Sequence, residues 1–217
     1  IKQYVIDMLK TFPEGTDISE VIKTLQEESC KIYRPRGKRE LIELCDMFIK
    51  KDGYQANLNH IDTSNVTDMS SLFENSKFNG DISGWDVSNV RDMSRMFYDN
   101  FNFNGDISNW DISSVEDMSQ MFHRSSFNGD ISKWNVSNVK NMYSMFNYNF
   151  KFNSDISKWN VSNVEIMEDM FYRSNFNSDI SNWDVSKVKN MRYMFYRSKF
   201  NGDISRWDVS NVKDMER

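Results

Sequence analysis

Residues 78–97 read FNGDISGWDVSNVRDMSRMF, and close copies of this stretch fill the rest of the chain, ending with FNGDISRWDVSNVKDMER at residues 200–217. The copies are spaced by 24 or 25 residues, as their tryptophans show: Trp85, Trp110, Trp134, Trp159, Trp183 and Trp207. A fixed period in the twenties is typical of stacked repeats that each contribute one structural unit. We therefore predict one continuous stack, which opens with a partial copy at Ile61.

Each copy carries two hydrophobic spacings. Trp85 and Val87 lie two residues apart, as they would on one face of a strand. Val90, Met93 and Phe97 then follow the three- and four-residue spacing of a short helix. We therefore predict an α/β fold, namely a leucine-rich-repeat-like solenoid of strand–helix units of about 24–25 residues with an N-terminal α-helical cap. All six tryptophans are expected inside it.

The repeats do not extend to the start of the chain, so two domains are predicted. Residues 1–57 are expected to form an N-terminal helical cap, and residues 58–217 the tandem-repeat solenoid. Apolar spacings predict helices near 2–11, 18–31 and 41–49, the last of them stopped by Gly53. Such helices could cover the apolar end of the stack, and a separate docking module is the alternative. Cys30 and Cys45 are expected to be buried free thiols.

Composition excludes some classes of function. The 217 residues carry a net charge of −5, which does not favour nucleic-acid binding despite the basic stretch RPRGKRE at residues 34–40. No run of eighteen apolar residues occurs, so no transmembrane segment is predicted. Ile1 is not followed by a basic and then apolar leader, so no signal peptide is predicted either.

The sequence offers little catalytic chemistry. Its two histidines, His60 and His123, lie in different copies, and no zinc spacing, phosphate loop or nucleophile elbow occurs. We expect no catalytic residue, no metal site and no cofactor, and hence no enzyme. One acidic position recurs in every copy: Asp81, Asp106, Asp130, Asp155, Asp179 and Asp203. We predict that each carboxylate accepts backbone N–H groups in its own turn. Calcium held between turns is the alternative.

Contacts with a partner are expected where the copies differ. One such position follows the Met-Phe pair and reads Tyr98, His123, Asn147, Tyr172 and Tyr196 along successive copies. Arginines follow three of these residues, and tyrosine and arginine are residue types that anchor interfaces. This first predicted set is Tyr98, His123, Arg124, Tyr172, Arg173, Tyr196 and Arg197. A second predicted set, just before the tryptophans, is Lys133, Lys158 and Arg206. The alternative is that the tyrosines only cover neighbouring helices.

The motif FNGDISxWDVSNVxxMxxMF resembles the repeat of BspA-like leucine-rich-repeat bacterial surface proteins, which is also common in mycoplasma surface lipoproteins. The resemblance covers residues 61–217. It implies a leucine-rich-repeat-like fold, a place at the cell surface or in secretion, and a protein or glycan partner such as a host extracellular molecule.

Together these observations predict a non-enzymatic surface recognition module that acts in adhesion or host interaction. A purely structural spacer or stalk, which presents or separates other domains, is the alternative. The last copy stops at NVKDMER, before its second Met and its Phe. We therefore expect that the natural protein continues or that self-association covers this open end.

Overall fold

The computed structural model describes residues 31–216, and the chain divides into two compact units, Ile1–Tyr33 and Arg34–Arg217. Within the second unit lies one α-helix, α1, which spans Lys38–Asp52 and ends at Gly53. The helix predicted near 41–49 is thus confirmed, and Gly53 ends it with a φ of 84° and an N–H that donates to Ile49. The helices predicted near 2–11 and 18–31, and Cys30, lie outside the described residues. Cys45 is a buried free thiol, as predicted.

Helix α1 packs its apolar face into the second unit. Leu41, Cys45 and Phe48 are buried, and the Phe48 ring lies edge-on to His60 with ring centres 4.2 Å apart. Lys38 donates a hydrogen bond to Ser70, in the first partial copy. The helix is therefore tied to the start of the repeats by both apolar and polar contacts.

The predicted strand–helix units are wrong. Across residues 31–216, α1 is the single α-helix, and extended structure is limited to isolated parallel bridges. Each copy is instead a chain of short turns. In the segment predicted as helical, Arg95 and Asp99 have φ values of 58° and 52°, a left-handed conformation that breaks an α-helix. The same two positions are left-handed in every described copy. The molecule is therefore not an α/β leucine-rich-repeat solenoid.

The repeat segment from Val90 to Asp99, called here the Met segment with its counterparts, joins neighbouring copies through the backbone. The N–H groups of Met93, Arg95 and Phe97 donate to carbonyls of the next copy at 2.8–3.0 Å. The alternate N–H groups, such as those of Met96 and Tyr98, donate to the carbonyl three residues back. Beyond its first turn, an α-helix uses its N–H groups internally and leaves none for a neighbouring copy.

The other half of each copy, residues 78–89 and its counterparts, is called here the Trp segment and joins its neighbours mainly through side chains. Trp134 donates its indole N–H to the carbonyl of Ile107 at 3.0 Å, and each of the other tryptophans makes the same bond to the preceding copy. Asn128 accepts the N–H of Asn153, and this bond also recurs between copies. A tight turn replaces the predicted strand, because the Trp85 N–H bonds back to Ile82.

The core consists of columns of one residue type. All six tryptophans are at most 8% exposed, which confirms that they are buried. Phe97 and Phe122 stack with ring centres 5.6 Å apart, and a second column stacks Phe103 on Phe127 at 6.1 Å. Val90 and Met93, which the helix prediction also placed inside, are fully buried. The apolar spacing therefore identified the core correctly, although turns rather than helices create it.

Candidate functional site

The aspartate ladder binds backbone, as predicted. Asp106 accepts the N–H of Ser108 at 3.0 Å and its hydroxyl at 2.7 Å, and these bonds hold the pKa of Asp106 below its ordinary value. The five other aspartates of this ladder each accept the N–H two residues ahead in the same way. Within residues 31–216, no group of three or more His, Cys, Asp or Glu side chains is arranged to hold a metal ion.

The first predicted partner set lies along one row. Tyr98 stacks on His123 with ring centres 4.6 Å apart, and Tyr172 stacks on Tyr196 at 5.4 Å. Tyr148 joins the two pairs, at 6.4 Å from His123 and 5.6 Å from Tyr172. We call these five residues the aromatic row. The structure thus brings together Tyr98, His123, Tyr172 and Tyr196, which were predicted from separate copies.

Arginines lie against this row. Arg173 stands over the rings of both Tyr148 and Tyr172, at 5.2 and 5.7 Å, and Arg197 over Tyr196 at 5.3 Å. Arg95, which is outside the predicted partner set, lies 4.6 Å from the Tyr98 ring. A guanidinium at this distance from a ring face is attracted by the negative charge of the ring face. The row therefore combines aromatic rings with adjacent guanidinium groups, of which Arg95 also pairs with Glu74.

The series in the sequence misplaced one member of the row. Asn147 aligns with Tyr98 and His123, but it is buried and donates a hydrogen bond to Ser144. The next residue, Tyr148, fills its place beside His123, and it does so from a left-handed backbone position with a φ of 54°. Tyr148 aligns with Arg124, Arg173 and Arg197 of the predicted set and shares their left-handed backbone, so the alignment contained its position although the predicted set omitted it.

The second predicted set lies elsewhere. Lys133, Lys158 and Arg206 are exposed, and each directly precedes a buried tryptophan in the Trp segment. None of them contributes to the aromatic row, which belongs to the Met segment. The structure therefore separates the two predicted sets into different parts of each copy.

Two copies contain one extra residue after the Met segment, and both insertions push a phenylalanine outward. Phe101 is 56% exposed and Phe150 is 55% exposed, whereas the next phenylalanine of each copy is fully buried. A buried asparagine holds each insertion. Asn149 donates to the carbonyl of Phe127 and accepts the N–H groups of Lys151 and Phe152 at 2.9 and 3.0 Å. Asn100 makes the equivalent bonds in the other copy.

The copy between the two insertions has no extra residue, and Ser125 replaces the asparagine there by accepting the N–H of Phe127. The result is a recess of about 610 Å³, which we call the notch. The residues that line it are Phe101, His123, Arg124, Ser125, Ser126, Tyr148, Phe150 and Lys151. His123 and Arg124 were predicted from the sequence. In the sequence, the extra phenylalanine in FNFNG (residues 101–105) and in FKFNS (residues 150–154) marks the two insertions, and with them Phe101 and Phe150.

The electrostatic environment of the notch is positive. Burial, together with the nearby positive charges of Arg124 and Arg95, lowers the pKa of His123 to about 4, so the imidazole is neutral at pH 7. Its Nδ1 has no hydrogen-bond partner among the described residues. Arg124 lies 3.0 Å from Asp99, in an ion pair whose geometry does not align a hydrogen bond to that carboxylate oxygen.

A second groove, of about 650 Å³, lies against the last copy. Phe195, Trp207 and Met215 are among its lining residues, and Met215 is 59% exposed. The predicted self-association through this end stays a prediction.

Stacked copies of one 24–25-residue unit that differ along one row of side chains are typical of a tandem-repeat protein. The chain belongs to the family described as "Mycoplasma protein of unknown function, DUF285", whose model matches residues 42–148, 105–175 and 123–217. The predicted relation to mycoplasma proteins is thereby confirmed at the level of the family. No curated protein and no solved structure matches the chain. Across residues 31–216, no helix has both the length and the apolar character to cross a membrane.

Proposed function

We propose that this chain is a non-enzymatic recognition module, displayed at the cell surface or secreted, which binds a protein or glycan partner through the aromatic row and the notch. One observation carries the proposal. The two insertions interrupt an otherwise regular stack at the aromatic row, and each of them exposes a phenylalanine there. A structural spacer does not require a cluster of exposed aromatic side chains, whereas aromatic and arginine side chains anchor interfaces.

The distribution of perturbed titratable groups supports a non-enzymatic role. Among residues 31–216, the strongest pKa shifts belong to Cys45, His123 and Asp169. Cys45 is buried in the face of α1, His123 lies in the notch, and Asp169 lies two copies further along the stack. Acid–base and nucleophilic catalysis need such groups within hydrogen-bond reach of one another. Surface display rests on the resemblance to bacterial surface proteins described above.

Binding of the labelled chain to host cells and to isolated host extracellular proteins tests the proposal. We expect saturable binding that falls at least about tenfold in the double variant Tyr172→Ser with Tyr196→Ser, since interface aromatics contribute most of the binding free energy. The matched control is Lys133→Ser with Lys158→Ser, which changes exposed side chains of the Trp segment and should bind as the unmodified chain does. Absence of saturable binding to any host component would favour the spacer.

A further inference from the structure

The notch combines two features that are rare together on this chain. Its two walls are exposed phenylalanines, and its charged lining residues, Arg124 and Lys151, are both cationic. No carboxylate is among the lining residues, although the chain as a whole carries a net charge of −5. The notch is thus an aromatic recess with two cations on an acidic protein; Arg124 already pairs with Asp99 just outside the lining, and Lys151 has no ion-pair partner among residues 31–216.

The size of the notch limits what can enter it. Phe101 and Phe150 come from copies that are two steps apart in the stack, with only the copy of His123 between them. Adjacent strand-like segments lie about 4.8 Å apart, so the two walls are separated by roughly 10 Å. This width admits one side chain or one extended peptide, and it excludes a folded surface. Asn100 and Asn149, fully buried and hydrogen-bonded to backbone, hold the two walls in place.

The available polar groups favour a peptide over a sugar. A glycan presents many hydroxyl groups, which need acceptors as well as donors. The charged groups of the notch are donors only, and its possible acceptors are the uncharged His123, Ser126 and Tyr148, since the Ser125 hydroxyl already accepts the Phe127 N–H at 3.1 Å. A carboxylate, by contrast, pairs with guanidinium and ammonium groups, and an apolar side chain fits between phenylalanine rings.

We propose that the notch binds an acidic segment of a partner protein in which an apolar or aromatic side chain is flanked by carboxylates. The apolar side chain lies between Phe101 and Phe150, one flanking carboxylate pairs with Lys151, and the other pairs with Arg124 alongside Asp99. This inference rests on the proposed recognition function and names the chemistry of its partner.

The probe for this test is the acetylated, amidated peptide Asp-Glu-Phe-Glu-Asp, titrated into the full chain and followed by amide chemical shifts. We expect saturable shifts at residues of the notch. Affinity should fall at least about tenfold in Phe150→Ser and in Arg124→Gln, because each removes one anchor. Both side chains are exposed, so neither variant should unfold the protein. Lys158→Gln is the control, since it removes an exposed positive charge outside the notch and should leave the affinity unchanged.

Two further probes decide between ligand classes. The peptides Asp-Glu-Gly-Glu-Asp and Lys-Arg-Phe-Arg-Lys should bind at least about tenfold more weakly, because each lacks one of the two required features. A sulfated oligosaccharide that binds the notch when the acidic peptide does not would overturn the peptide assignment. Peptide binding that is insensitive to Phe150→Ser and Arg124→Gln would overturn the site. Neither result would affect binding of the chain to host cells, so failure of this inference is distinguishable from failure of the proposed function.

Discussion

The two halves of every repeat are joined to the next copy by different atoms. In the Met segment the bonds between copies come from the backbone, as in Phe122 N–H to the Met145 carbonyl at 3.0 Å. In the Trp segment they come mainly from side chains, as in the indole of Trp134 and the amide of Asn128. Replacing a side chain that makes one of these hydrogen bonds between copies would reduce the stability of the stack. The outward side chains of the aromatic row do not make these hydrogen bonds, so they can differ from copy to copy.

This difference explains where the recognition face lies. The Trp segment repeats Asn, Asp, Ser and Trp almost unchanged. The Asn, Asp and Trp side chains satisfy backbone groups of their own turn or of a neighbouring copy, and Ser hydroxyls donate to the Asp carboxylates. The Met segment places Tyr98, His123 and Tyr172 at one outward position without altering its backbone bonds. The outward position of the aromatic row varies where backbone hydrogen bonds join the copies, so a binding surface can evolve there with little effect on folding.

The largest expected effect comes from the tryptophan column. Trp134→Ala should reduce the free energy of unfolding by about 3–5 kcal/mol, because it opens a cavity and leaves the Ile107 carbonyl without its indole donor. Urea unfolding measures this loss. Met145→Leu, at a fully buried position of the Met segment, is the control and should cost less than about 1.5 kcal/mol. A loss below about 1 kcal/mol for Trp134→Ala would contradict the role given to the Trp segment.

In the Met segment, substitutions that strain the backbone conformation should reduce stability more than substitutions of outward side chains. Gln120 has a φ of 57°, which β-branched residues tolerate poorly and glycine adopts readily. Gln120→Val should therefore reduce stability by about 2 kcal/mol, and Gln120→Gly should change it by less than about 1 kcal/mol. Thermal and urea melts of the two variants provide the measurement. Equal stability of the two would show that the left-handed turn is not required.

Removal of an exposed side chain should reduce stability in the Trp segment and have little effect on stability in the Met segment. Asn128→Ala removes the acceptor of the Asn153 N–H and should cost about 1 kcal/mol. Lys140→Ala removes a side chain of the Met segment that is also exposed and that pairs with Glu116 at 2.6 Å, and exposed ion pairs contribute little to stability. We expect the first variant to be clearly the less stable in parallel urea titrations. The reverse order would abolish the contrast between the two halves.

The smallest effect concerns Asp169 in the Met segment. Partial burial and the neighbouring Glu168 raise the pKa of this carboxyl to about 6, above its ordinary value of 3.8. Because the folded state holds the proton more tightly, ionisation of Asp169 costs stability as the pH rises from 3.8 through 6. Asp169→Asn should therefore stabilise the protein at pH 7.5 by about 1 kcal/mol, a value reduced for solvent screening of a half-exposed group. This advantage should shrink as the pH falls towards 3.8, and melts at several pH values would detect a constant difference instead.

Much of the structure could be read from the sequence. The period of 24–25 residues, the buried tryptophans and the helix that ends at Gly53 all follow from spacing and residue type, because burial of apolar groups and the geometry of helix ends depend on local sequence. The roles of the repeated aspartates followed from the same local logic, since an Asx turn is made within a few residues.

Tertiary structure decided the rest. Val90, Met93 and Phe97 have helical spacing, yet these residues form turns, because half of their N–H groups bond to the next copy and an isolated helix of this length is marginal. That choice depends on a neighbouring copy 24 or 25 residues away, which a local pattern does not contain. The notch has the same origin, because two insertions far apart in sequence form one recess only when the copies stack. Local residue types determined which side chains are buried in this protein, and hydrogen bonds between copies determined the backbone conformation that buries them.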